Sequence, residues 1–221
     1  MIDVSKLKNL FIYHPGGTGG NHLANLISLI PIFESRLENY EGDYQQFFNK
    51  EYDRFTNPKF LPILPSQIHN MKSHFLIKHG LDGLDDTEFR KHLLSNKRIN
   101  ILTGHWHCFY SRNLSDFTNN AWIRMSFPKE GSLAFKRIKM FNFLPQQVEV
   151  YIESYEILDK YPGFKNSAYL DTDMFFQDNG SEYLREFLKH NFEIELPAIA
   201  DEMHSKWIYG IKTSLKLFTD T

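Results

Sequence analysis

Short apolar runs alternate with stretches of helical period along most of the chain. Asn9 to Tyr13, Ala121 to Phe127 and Ser167 to Leu170 read as strands, and Ile99 to Thr103 as a buried one. Leu23, Leu26, Ile27 and Ile30 recur at helical spacing and predict a helix over about Gly20 to Ile30, ended by Pro31. Further helices are predicted over Ser132 to Asn142, Gln146 to Lys160, about Ser181 to His190, and Pro197 to Leu217. In the first of these, Leu133, Phe135, Ile138 and Phe141 form the candidate buried face. A strand at Phe75 to Lys78 and a helix at Asp86 to Leu94 complete the pattern. Phe33 to Asn70 lacks any such period. It carries Pro58, Pro62, Pro65 and many aromatics, and reads as an insertion with a short helix near Tyr44 to Phe55. Two readings of it stay open: a lid or acceptor-binding element, or a surface excursion pinned by its aromatics.

Strands alternating with helices predict one α/β domain over residues 1–221. Its expected form is a three-layer α/β/α sandwich around a mainly parallel sheet. Ligands of such sheets sit beyond the carboxyl ends of the strands. Three predicted strands end there in chemistry-bearing turns: a glycine stretch after Tyr13, His105-Trp-His107, and Ser126-Phe-Pro-Lys129.

Composition narrows the classes. The 20 Phe and 11 Tyr fit a chain with a sizeable core. A formal charge of −2 argues against nucleic acid as a bulk electrostatic partner. One cysteine, Cys108, excludes an internal disulfide and an all-cysteine metal site, in keeping with a cytoplasmic location. The first ten residues lack a signal-peptide pattern, and no apolar run approaches membrane-spanning length, so no membrane association is expected.

The glycine stretch is Pro15-Gly-Gly-Thr-Gly-Gly-Asn-His-Leu23, placed between a strand and a helix. Glycines let backbone N–H groups converge on an anion, and the helix start adds donors and the positive end of its dipole. A phosphate cradle is the functional reading, and a flexible turn the structural one. The nucleotide-triphosphatase loop needs Lys then Ser or Thr after its last glycine, whereas Asn21 and His22 follow Gly20 here. ATP or GTP hydrolysis is therefore disfavoured, and no acidic residue completes a dinucleotide fingerprint.

This stretch resembles the phosphosulfate loop of the sulfotransferase family, Pro-Lys-Thr-Gly-Gly-Thr-Ser-Leu. Gly17 falls on the lysine, Thr18 on the threonine, Gly19 and Gly20 on the glycines, Asn21 and His22 on the hydroxyl pair, and Leu23 on the leucine. Tyr169-Leu-Asp-Thr-Asp-Met-Phe-Phe, the following helix with Leu184, Phe187 and Leu188, and Asn191-Phe-Glu-Ile194 are similar to a late strand–helix segment of that family. The resemblance implies a P-loop-type fold. It implies 3′-phosphoadenosine 5′-phosphosulfate as co-substrate, no metal, and transfer of a sulfuryl group to a hydroxyl or amine of a small or saccharide-like acceptor. Gly17, Thr18, Gly19, Gly20, Asn21 and His22 would hold the 5′-phosphosulfate.

The family's second motif, Arg-x-Pro-x-Asp followed by a Ser, aligns on Pro128 with Ser126, Glu130 and Ala134 at its polar positions. Arg124, Ser132, Lys136 and Arg137 lie close in sequence as substitutes at the 3′-phosphate, and Arg124 shares strand parity with Ser126. Lys136-Arg-Ile-Lys139 otherwise reads as a solvated helix face. His105 and His107 stand where the family often carries a base, a role histidine suits near neutral pH. Hydrogen-bonded turn histidines and metal ligation with Cys108 are the other readings. Asp171 and Asp173 read as paired carboxylates or, from the family position, as turn and cap residues, and Trp207 with His204 as packing or as an adenine contact. The competing function is a nucleotide- or anion-binding protein that keeps the fold without the chemistry, in line with Gly17 and Ser126.

Overall fold

The computed structural model describes residues 1–30, 32–34, 91, 94, 99–104, 118–140 and 166–219. A 3-10 turn, Val4–Lys6, is capped by the Asp3 carboxylate. Strand β1 spans Asn9–Tyr13 and helix α1 Gly20–Ser28. Strands β2 (Phe33–Glu34), β3 (Ile99–Gly104) and β4 (Asn120–Met125) follow, then helix α2 (Leu133–Met140). Strand β5 (Ser167–Leu170) leads into helices α3 (Thr172–Phe175), α4 (Gly180–Phe192) and α5 (Ile199–Thr219).

All pairings are parallel, in the order β2-β3-β1-β4-β5. The chain leaves β1 towards β3 and β2, then returns to place β4 on the other side. The order therefore reverses at β1, and α/β sheets bind ligands beyond the carboxyl ends of the strands at such a point. Tyr13 is level with Gly104 on one side and Arg124 on the other, and Arg124 with Tyr169. The turns after β1, β4 and β5 thus share one end of the sheet.

β1 is buried along its whole length, which explains its unbroken apolar run. Leu10 and Ile12 join Ile101, Ala121, Ile123 and Met125 in a core with Leu23, Leu26 and Ile27 of α1, Ala134 of α2, Leu184 and Leu188 of α4, and Ile208 of α5. On the opposite face Phe11 stacks on Trp122 at 4.4 Å between ring centroids, and both are buried. Each buried Leu or Ile contributes about 1.5–3 kcal/mol, so the stripe that predicts α1 also holds it to the sheet.

Strands β1 and β5 match their predicted bounds, and β3 and β4 differ by one or two residues at their ends. Phe33 and Glu34 were expected to open an irregular insertion, but they pair with Ile99 and Asn100 as an edge strand. A two-residue strand has no period to detect. In α2, Ala134 and Ile138 are the buried residues, while Leu133 and Phe135 are half-buried. Phe141, the rest of the insertion, and the elements predicted at 75–78 and 146–160 lie outside the described residues, as does most of the helix predicted at 86–94. Among the described residues no helix is long and apolar enough to cross a membrane.

Candidate functional site

The loop between β1 and α1 is built by two glycines with positive φ, Gly17 at 81° and Gly19 at 80°. Gly19 is also the N-cap of α1 and supplies no side-chain cap. Thr18 is fully buried between them, and its hydroxyl and N–H both donate to the Pro15 carbonyl, at 2.6 and 3.2 Å. That closes a tight turn. The first helical bond runs from Leu23 N–H to the Gly19 carbonyl at 2.9 Å. Among the described residues, the N–H groups of Gly17, Gly19, Gly20 and Asn21 donate no hydrogen bond. Gly17 and Gly19 remain partly open to solvent. Donors at the positive end of a helix, on a backbone without Cβ, make an anion-binding concavity.

Side chains clamp this backbone. The His14 ring lies where a Cβ on Gly20 would stand, which restricts that position to glycine. Its Nδ1–H donates to the Pro15 carbonyl at 3.0 Å. A Cβ on Gly19 would come within 2.7 Å of the Trp207 ring. Asn21 Oδ1 accepts from the Thr103 hydroxyl at 3.0 Å, tying the helix start to β3. Arg137 of α2 donates from Nη1 to the Gly17 carbonyl at 2.7 Å.

Behind the loop lies an aromatic and imidazole cluster. His22 stacks on Trp207 at 4.1 Å and 15° between planes. Phe176 meets Trp207 edge-on at 4.8 Å. His22 Nε2–H points to His204 Nδ1 at 3.4 Å, and His204 Nε2–H to the Gln177 carbonyl at 3.3 Å. Burial pushes the His22 imidazole well below its ordinary range, with the neighbouring His204 and Arg137 acting the same way. Burial brings His204 down to about 4, against smaller opposing effects of the Gln177 and Phe175 carbonyls and of Asp201 and Asp178. Both rings are neutral at pH 7.

Gly17 through His22 therefore form one unit. Thr18 and His22 are internal to it, and the open groups are backbone N–H. The other expected contacts stand apart. Arg124 is level with Tyr13, so it lies on the sheet face opposite Ile12, Thr103 and α1. It is 1% exposed and sits over Tyr169, with its guanidinium 4.7 Å from the ring centroid and a hydrogen bond to the phenol oxygen. Ser126 Oγ accepts the Thr172 N–H at 3.0 Å, and its carbonyl takes the Thr172 hydroxyl. Ser132 Oγ accepts the Phe135 N–H at 3.2 Å, capping α2. Asp171 caps α3 by accepting from the N–H groups of Asp173 and Met174, and Asp173 accepts from the Lys129 N–H at 2.9 Å. His105 and His107 lie outside the described residues. Among the described residues no group of three or more His, Cys, Asp or Glu is arranged to hold a metal.

Trp207 packs, in line with the main reading of it, and its neighbours are His22, Phe176 and Gly19. Arg137 was read mainly as part of a solvated face, with a phosphate contact as the lesser reading, and it is half-buried against the loop. Its spacing from Ala134 and Ile138 put it beside the buried stripe, a signal legible in the sequence. No family model, curated protein or solved structure matches the chain.

Proposed function

We propose that this α/β protein has a P-loop-type, three-layer fold that binds 3′-phosphoadenosine 5′-phosphosulfate through the loop after β1. On this reading it transfers the sulfuryl group to a hydroxyl or amine of a small-molecule or saccharide-like acceptor. The observation that carries the reading is the set of N–H groups of Gly17, Gly19, Gly20 and Asn21, at the carboxyl end of β1, that donate no hydrogen bond among the described residues. Such donors cost no reorganisation and stabilise charge that develops on a leaving phosphate. The co-substrate supplies an activated sulfuryl group. The chain's own residues fit its 5′ end: the loop is open at Gly17 and Gly19, and Arg137 brings a cation to its rim.

The fit at the 3′-phosphate is different. Ser126 and Ser132 each accept a backbone N–H and keep one O–H for a phosphate, but Arg124, the expected cation, lies across the sheet from α1. That observation favours the second reading, a nucleotide- or anion-binding protein without sulfuryl transfer. The adenosine 3′ end has no assigned partner under either reading.

Calorimetric titration with 3′-phosphoadenosine 5′-phosphate, followed by a donor-consumption assay over varied acceptors, tests both. Binding with consumption supports transfer. Binding without consumption supports the second reading, and no binding at millimolar ligand overturns both. Alanine at His105 and His107 together is expected to abolish turnover and spare donor binding. Unchanged turnover removes them as the base.

A further inference from the structure

We infer that a cavity at the amino end of the sheet, away from the glycine loop, binds a small organic cation with an apolar body, and that the Glu193 carboxylate holds its ammonium group. The inference stands apart from any reading of the loop.

The cavity, of about 590 Å³, opens where the segment before β1, the chain after α1 and the end of α4 meet. That volume is usual for a small-molecule site. α1 starts at the carboxyl end of β1 and runs back along the sheet, so Ile30, just past its end, places the cavity at the other end of the sheet from Gly17. The Ile2 N–H donates to the Asn191 carbonyl at 2.8 Å, which fixes the first segment to the last turn of α4. Ile30, Phe192 and Ile194 are buried, Ile2 is half-buried, and together they give the cavity an apolar wall.

Glu193, on the rim of this cavity, goes against local preference twice. α4 ends with the Glu193 N–H on the Lys189 carbonyl at 3.1 Å and the Ile194 N–H on the Leu188 carbonyl at 3.4 Å. This ending needs a left-handed residue and favours glycine. Glutamate holds it here, at φ 55° and ψ 32°. Lys189 and His190 in the last turn suit the negative end of the helix dipole, whereas a carboxylate just beyond them opposes it. Rule-breaking residues beside cavities point to function. Asp3 and Glu195 also line the cavity, and each has a lysine, Lys6 at 2.8 Å and Lys189 at 4.0 Å. Among the described residues the Glu193 carboxylate has neither a hydrogen bond nor an ion pair. A cation in the cavity would turn its unfavourable charge into a favourable one, and the apolar wall would take a hydrocarbon or aromatic body.

Phenylbutylamine, phenylbutanol and phenylbutyrate share a body and differ in charge. Each is titrated at low ionic strength into the full chain and into Glu193→Gln and Glu193→Gly, read by calorimetry and by isoleucine methyl spectra. The expected Kd for the amine is below about 1 mM and about tenfold tighter than for the alcohol, with methyl shifts at Ile2, Ile30 and Ile194. Both variants lose about tenfold for the amine, the size of one charge-assisted contact at a solvated rim, and nothing for the alcohol. Glu193→Gly also raises the melting temperature, because glycine relieves the left-handed backbone. No binding of the amine overturns the inference, as do equal affinities for the three probes, wild-type affinity in both variants, or methyl shifts confined to other isoleucines. A chain that sediments as a dimer and excludes the amine has a second copy over the cavity, which overturns it as well. A melting temperature lowered by Glu193→Gly overturns it by making Glu193 a part of the fold.

Discussion

His22 and His204, 182 residues apart in the chain, meet ring to ring behind the glycine loop. The Gln177 carbonyl can only accept, so His204 carries its proton on Nε2 and presents Nδ1 as an acceptor to His22 Nε2–H. The bond needs His204 Nδ1 to stay unprotonated. A second proton on His204 would turn its Nδ1 into a donor facing another donor, in a site with little solvation.

Stability is accordingly expected to fall on mild acidification. Above about pH 6.5 the imidazoles are neutral in both the folded and the unfolded chain, and the packing is fully present. As the pH falls from about 6.5 towards 4, the unfolded chain takes up protons that the folded chain refuses, because His204 is held at about 4 and His22 is lowered as well. Unfolding is favoured over that window, by up to about 3 kcal/mol for His204 alone. Below its folded value both states are protonated and this group adds nothing further. Denaturant midpoints measured from pH 7.5 to 4 check this, and His204→Gln should flatten the slope. A slope unchanged by that substitution would remove His204 as its source.

Gly19 tests how tightly α5 is built into the loop. Gly19→Ala places a Cβ on a residue with φ of 80° and within 2.7 Å of Trp207. The left-handed backbone costs about 1–2 kcal/mol and the overpacking a further 1–3. Gly131 is the internal control, since its φ is 83° with nothing within 4 Å of an added Cβ. Chemical denaturation should give a larger loss for Gly19→Ala than for Gly131→Ala. Equal losses would show that Trp207 yields without cost.

The parts of the fold that were legible in the sequence are those set by local pattern. β1 is a nearly continuous apolar run and β5 a short one that alternates buried and open positions, and α1, α4 and α5 carry their buried stripes openly. The strand–glycine–helix order is found as read, with the glycine loop at the carboxyl end of β1 and the start of α1. What the sequence concealed is set by distant partners. Nothing local to Arg137 names the Gly17 carbonyl, and nothing local to Trp207 shows that Gly19 must lack a side chain to admit it. Arg124 and Ser126 were expected to share strand parity, but β4 ends at Met125, before Ser126. Arg124 itself faces away from α1, because the side on which α1 packs is a property of the assembled sheet.

Asp171 carries a prediction about local structure. Its carboxylate accepts two backbone N–H groups at the start of α3, at 2.8 and 3.2 Å. Asp171→Ala should lose about 1 kcal/mol, and Asp171→Asn a smaller amount because the amide oxygen still caps. If Asn destabilises as much as Ala, the carboxylate does something beyond capping. Differential scanning calorimetry of the three proteins resolves this.

Ser126 bears most directly on the competing functions. Its Oγ accepts the Thr172 N–H at 3.0 Å and its carbonyl accepts the Thr172 hydroxyl, so it joins the end of β4 to the start of α3. Removing the oxygen in Ser126→Ala leaves the Thr172 N–H without that acceptor in a part-buried setting, at a cost of about 1–3 kcal/mol. Affinity for 3′-phosphoadenosine 5′-phosphate should be unchanged if Ser126 serves only to join β4 to α3, since its remaining O–H is the one group it could offer a phosphate. Thermal denaturation and calorimetric titration of the same preparation give both numbers. A tenfold or greater loss of affinity at unchanged melting temperature, about 1.4 kcal/mol of binding energy, would make Ser126 a ligand contact and restore it to the 3′-phosphate site. Lost stability with intact affinity would make it a structural residue, and the partner of the 3′ end would then have to be sought on other elements.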